Sequence, residues 1–142
     1  MSSPAILQGG YVLPVSRSFT QMLLDIVAQK PPHRHPITGL TINFRDPEYS
    51  PETGGWHPVE IRLIPAGEDW QLDYVTDFHY AGYPWPELEK DVDVSWTHQY
   101  TWLSRCGYIS HVDAREFWSL WESNFMAYHD MGVFTVRTLW ES

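Results

Sequence analysis

Apolar and polar residues alternate along four stretches of this chain. In Leu40–Phe44 the apolar positions are Leu40, Ile42 and Phe44, and in Val59–Leu63 they are Val59, Ile61 and Leu63, with Glu60 and Arg62 between them. Trp70, Leu72, Tyr74, Phe78 and Tyr80 carry the pattern through Trp70–Tyr80 and leave Asp73, Asp77 and His79 on the other side. Val92, Val94 and Trp96 alternate with Asp91, Asp93 and Ser95. A period of two predicts antiparallel strands with one covered face and one wet face. Pro65–Asp69 reads as a hairpin loop between the second and third strands. Gln99–Ile109 predicts a further strand of poor alternation, and Val133–Trp140 a closing strand or extended arm.

Two stretches have helical spacing instead. Across Ser16–Lys30, Phe19, Met22, Leu23, Ile26 and Val27 form one apolar face. Ser18 and Gln21 have capping-box spacing with Ser16 as a competing cap, and the Pro31–Pro36 run stops the helix. Asp113 with Glu116 predicts a second start, with a helix running to about Asp130 and Gly132 as its C-terminal cap. Its apolar stripe, Phe117, Trp118, Leu120, Trp121, Phe125 and Tyr128, spans roughly 160°. Asn124 falls inside that arc and needs hydrogen-bond partners there. The elements predict an α+β fold: a twisted antiparallel sheet of about five to seven strands flanked by an N-terminal and a C-terminal helix. The length of 142 residues suits a single domain, with residues 1–15 as a lead segment.

Eight Trp and eight Tyr are more than a chain of this size needs for an ordinary core. They predict a core of large side chains, or else an exposed aromatic surface. The net charge of −9 argues against a broad nucleic-acid face and against docking on an anionic membrane, leaving a basic partner, a cation or plain solubility. The one cysteine, Cys106, cannot form an internal disulfide, and its surroundings predict a buried, inert thiol. No leader pattern or membrane-length apolar run occurs, so a cytoplasmic protein is expected.

Candidate chemistry is sparse. Asp77 and His79 share a strand face and could chelate one ion, with Asp73 beside them and Glu60 joining from a neighbouring strand. His57 and Glu60 lie three positions apart, so on a strand they face opposite sides. His33 and His35 have chelating spacing in a proline-rich loop. There is no HExxH, no thiolate cluster and no nucleophile elbow, and neither Gly9-Gly10 nor Gly54-Gly55 has phosphate-loop spacing. No cofactor is expected, and enzymatic function is not the favoured reading. The outward carboxylates Glu60, Asp73, Asp77, Asp91 and Asp93, with His79, predict an acidic face able to steer a basic protein, although charged outer faces also serve to prevent aggregation. Ala81–Leu88 is expected to present Tyr83 or Trp85 between prolines.

The segments Asn43–Arg62 (NFRDPEYSPETGGWHPVEIR), Asp77–Asp93 (DFHYAGYPWPELEKDVD) and Asn124–Phe134 (NFMAYHDMGVF), with LPVS at Leu13–Ser16, resemble a family of small bacterial proteins of unknown function often encoded on genomic islands. That family is similar in architecture to the acidic mitochondrial matrix protein that is also a receptor for globular complement heads. The resemblance implies a twisted antiparallel sheet with terminal helices, and a eukaryotic relative that assembles as a ring-shaped trimer. Where that relative has a further C-terminal helix, this chain has the strand-like Val133–Ser142. The expected function is a non-enzymatic homo-oligomeric interaction module, binding a protein partner and neither nucleic acid nor membrane. The alternative is a metal- or small-ligand-dependent enzyme using Asp77, His79 and Glu60.

Overall fold

Each alternating stretch becomes a strand because pairing satisfies its backbone while one row of side chains enters a common core. The computed structural model describes residues 4–31 and 35–142. In chain order the elements are β1 (Ile6–Leu7), α1 (Arg17–Val27), β2 (Gly39–Arg45), β3 (Val59–Ala66), β4 (Asp69–Ala81), β5 (Glu87–Ser95), β6 (Tyr100–Leu103), β7 (Gly107–Tyr108), α2 (His111–Asp130) and β8 (Thr135–Glu141). The strands make one sheet in the order β7-β6-β5-β4-β3-β2-β8. All of these neighbours are antiparallel. The lead segment adds β1, parallel to the start of β4. Gln99–Ile109 resolves into two short strands, and the closing segment pairs with β2 from Gly39↔Glu141 to Arg45↔Thr135.

Both helices start on serine caps. Ser16, not Ser18, accepts the Phe19 N–H at 3.2 Å, and Ser18 lies inside the first turn. Ser110 accepts the Asp113 N–H at 3.2 Å, so α2 begins earlier than Asp113, and Asp113 sits where the positive end of the helix dipole favours an acid. The buried face of α2 is Ala114, Trp118, Glu122 and Phe125. Leu120, expected in the apolar stripe, is exposed, and so is Asn124. The buried polar residue is Glu122: its Oε2 accepts the Ser16 N–H at 2.9 Å and the Trp118 Nε1–H at 3.1 Å. One carboxylate thus joins α2 to the start of α1, and its hydrogen bonds offset the cost of its burial.

The helices pack on the sheet face carrying Leu40, Ile42, Phe44, Ile61, Leu63, Leu72, Val75 and Val94, all fully buried. Phe19 of α1 and Trp118 of α2 meet edge-to-face, and Trp118 meets Trp96 with ring centroids 4.9 Å apart. The Trp96 indole N–H finds the Leu13 carbonyl at 3.0 Å. Of the Trp and Tyr residues, Tyr11, Trp70, Trp96 and Trp118 are buried in the core, where aromatic pairs add about 0.5–1.5 kcal/mol beyond area burial. Cys106, expected to be buried, is exposed in the turn between β6 and β7.

Two bulges interrupt the alternation of the central strands. Leu63 pairs with Leu72 but Arg62 pairs with Tyr74, so Asp73 is an extra residue. Asp77 pairs with Val92 but Phe78 with Lys90, so Asp91 is extra in β5. A bulge re-aims the side chains beyond it. Val75 enters the core, while Tyr74 and Phe78, expected inside, lie on the outer face with Glu60 and Asp93. Asp77, expected outside, turns to the helix side and meets Trp121 of α2.

Candidate functional site

On the helix side of the sheet a loop, the bulge of β5 and the middle of β4 converge. The loop after β2 is folded by Asp46, whose carboxylate accepts the Glu48 N–H at 3.0 Å and the Trp56 N–H at 3.2 Å. Gly55 makes this possible: at φ +134°, a Cβ there would lie 3.2 Å from the Tyr49 Cα and 2.6 Å from Asp46 Oδ2. The Tyr49 ring stacks on Tyr80 at 5.2 Å and stands 5.7 Å from the His57 ring. His57 is delivered just ahead of β3, with Nδ1 2.7 Å from Asp77 Oδ1. The other Asp77 oxygen accepts the Trp121 Nε1–H at 2.9 Å. Asp91 faces two imidazoles at once, His57 Nδ1 from Oδ2 and His79 Nδ1 from Oδ1, each at 3.7 Å. Ser104 Oγ donates to Asp91 Oδ1 at 2.5 Å.

The Asp77 hydrogen bond holds the His57 pKa above the ordinary histidine value; burial opposes this, and the charges of Asp77 and Asp91 add to it. Beside the pair lies a cavity of about 340 Å³ between α2 and the loop, walled by Trp56, Val59, Trp121, Phe125, Tyr128 and Phe134. His57, Asp77 and Asn124 line it as well, so polar and apolar groups share its wall.

The outer face is arranged differently. Glu60 accepts the Tyr74 hydroxyl. Asp73 accepts Arg62 Nη1 at 2.9 Å, and the same guanidinium donates to Glu141 at 3.3 Å through Nε and again through Nη2. Asp93 accepts the Thr76 and Tyr100 hydroxyls, both at 2.8 Å, with Lys90 at 3.5 Å. Burial first, and the neighbouring carboxylates second, raise both phenol pKa values well above the ordinary tyrosine value.

The acidic face expected from sequence therefore divides. Glu60, Asp73 and Asp93 stay outside, and Asp77, His79 and Asp91 join His57 on the other side. The ligand set Asp77, His79 and Glu60 does not converge, because Glu60 faces away from the other two and is bonded to Tyr74. His57 and Glu60 do face opposite sides, as their spacing requires. His57 was missed as a partner of Asp77 because its ladder neighbours lie twenty residues on; the only sequence signal is that a strand following HPV must pair with a later one. The His33–His35 pair falls partly outside the described residues. At the β4–β5 tip, Tyr83 and Trp85 are 97% and 82% exposed.

A family of proteins of unknown function, DUF2787, matches residues 17–138. The chain belongs to that family. Two solved structures similar to this chain are of proteins from bacterial pathogenicity islands. A hypothetical protein of the VSP-II island of Vibrio cholerae is 34% identical, with a TM-score of 0.77 over 89% of this chain and 94% of that one. A conserved hypothetical protein of the VPI-2 island of Vibrio cholerae O1 biovar eltor is 36% identical, with a TM-score of 0.76 over 89% and 95%. The second is described as sharing structural homology with the human p32 protein, which bears out the fold likeness expected from sequence. No curated protein matches the chain. Among the described residues of this DUF2787 member, no helix is long and apolar enough to cross a membrane.

Proposed function

We propose that the chain is a non-enzymatic, oligomeric protein-interaction module of the cytoplasm that takes its partner through the tip of the β4–β5 hairpin. The observation that carries this reading is the exposure of Tyr83, just ahead of Pro84, and of Trp85, between Pro84 and Pro86, both left almost entirely in water. Rigid aromatics lose little entropy on docking and bury much area, which is why they dominate interface energetics. Glu87 and Glu89 are exposed beside them, a charge that suits a basic partner. Oligomer formation is supported by the two ends of the sheet. Val136 and Leu139 stand exposed on β8 and Tyr108 on β7, so apolar side chains accompany both terminal strand edges.

The test compares the wild-type chain with a Tyr83→Ser/Trp85→Ser double variant as baits in cells of the source organism, after circular dichroism has shown equal folding. Proteins held by the wild type and reduced at least tenfold on the variant are expected. Equal capture by both baits overturns the role of the tip. Native mass spectrometry of the same two samples gives the subunit number, and a monomer at micromolar concentration overturns the oligomeric part.

A further inference from the structure

We propose that His57, Asp77 and Asp91 form a binding site for a single divalent transition-metal ion of the zinc class. One ligand atom from each of the three residues lies within 4.8 Å of the others. They come from three separate parts of the chain: the loop ahead of β3, the middle of β4, and the extra residue of the β5 bulge. The two separations that involve His57 are close to what a shared ion requires. Ligand atoms about 2.0–2.2 Å from a tetrahedral zinc lie roughly 3.3 Å from one another. His57 Nδ1 is 2.7 Å from Asp77 Oδ1 and 3.7 Å from Asp91 Oδ2. The first distance opens and the second closes by about half an ångström when an ion replaces the shared proton. The 3.7 Å separation is too long for a hydrogen bond, so Asp91 approaches His57 without bonding to it.

The surroundings argue in the same direction. Ligating carboxylates are ordinarily fixed through their remaining lone pairs by a second layer of donors. Asp77 Oδ2 is so fixed by the Trp121 indole, and Asp91 by the Ser104 hydroxyl. A bulge in the middle of a hydrogen-bonded pair disrupts the ladder, and here it turns one carboxylate toward an imidazole. Mixed imidazole and carboxylate ligands suit zinc and its first-row neighbours better than calcium, which prefers oxygen alone. Three protein ligands leave a fourth position for water. His79 adjoins the set through Asp91 and stands outside it. The ion would fasten the loop after β2 to β4 and β5 beside the cavity that His57 and Asp77 line. This goes beyond the interaction reading, whose residues at the hairpin tip are not among the ligands.

The test is isothermal titration of the full-length chain, freed of metal by chelator, with Zn²⁺, followed by Co²⁺ titration read by visible absorption. The expected result is one ion per chain with a dissociation constant below about 10 µM, and Co²⁺ bands of a four-coordinate complex. His57→Ala and Asp91→Asn each weaken binding at least tenfold, and His79→Ala changes it less than threefold. Asp91→Asn guards against loss of fold in the histidine variant, since its side chain is partly exposed and keeps its shape. Absence of stoichiometric binding at 100 µM Zn²⁺ overturns the site. Binding that survives unchanged in folded His57→Ala and Asp91→Asn chains also overturns it, because the ion then lies elsewhere. Loss of the hairpin-tip interaction in the bait experiment leaves this result untouched.

Discussion

The two faces of the central sheet carry the same kinds of residue and use them in opposite ways. On the outer face, each of Glu60, Asp73 and Asp93 accepts a short bond from a tyrosine, threonine or arginine a strand away. On the helix side, Asp91 has Ser104 as its donor and stands 3.7 Å from two imidazoles. The outer network is closed and holds the sheet together. In the inner cluster both Asp77 oxygens are taken, by His57 and Trp121, and it is Asp91 Oδ2 that stands beyond hydrogen-bond distance of His57. The difference teaches that acidity alone identifies neither a binding face nor a site; what matters is whether the protein's own donors already occupy the oxygens.

Removing a donor from the closed face has the largest expected effect. Arg62→Met leaves Asp73 and Glu141 without their shared guanidinium and lowers stability by about 1–2 kcal/mol, read from urea unfolding. His57→Gln, on the helix side, stays within about 0.5–1 kcal/mol because that side chain is 37% exposed. Equal losses would erase the distinction between the faces. Gly55→Ala comes next, with a loss of about 1 kcal/mol from backbone strain and the approach to Tyr49. Its effect is confined to the loop side: faster amide exchange at Trp56 and His57 with β5–β6 unchanged is the expected outcome. Uniform acceleration would show that the loop is part of the main cooperative unit.

The smallest effect is alkaline. Burial and neighbouring carboxylates raise the folded-state pKa values of Tyr74 and Tyr100, so the neutral phenols are favoured in the folded chain. Their contribution is complete below the unfolded tyrosine value of about 10 and is lost as the pH rises above it. Stability measured from pH 9 to 11 should fall in the wild type. The Tyr74→Phe/Tyr100→Phe double variant should show a shallower fall from a lower starting value. Parallel curves would mean that other groups govern the alkaline limb.

Much of the fold was legible because its signals are local. Leu40–Phe44 and Val59–Leu63 alternate without interruption, and Phe19, Met22, Leu23, Ile26 and Val27 fall on one helical face. The candidate site was not legible for an equally physical reason. A bulge is a property of two strands, and β4 read alone gives no sign that Asp73 stands outside the count or that β5 carries the extra Asp91. One missed residue reverses every later side chain, which is how Tyr74 and Asp77 exchanged faces. Likewise, Asn124 and Glu122 differ by two positions on α2. Only the tertiary arrangement decides that Glu122 meets the Ser16 amide.

The pairing of β2 with β8 bears on how the protein is made. β2 is complete on one side as soon as β3 follows it, but its other edge waits for Thr135–Glu141, roughly a hundred residues further along the chain. On the ribosome, Gly39–Arg45 therefore remains an open edge through most of synthesis, with Leu40, Ile42 and Phe44 already committed to one side. Nascent chains stalled before residue 135 should be the form most prone to pair with one another, and release of β8 the step that ends that hazard.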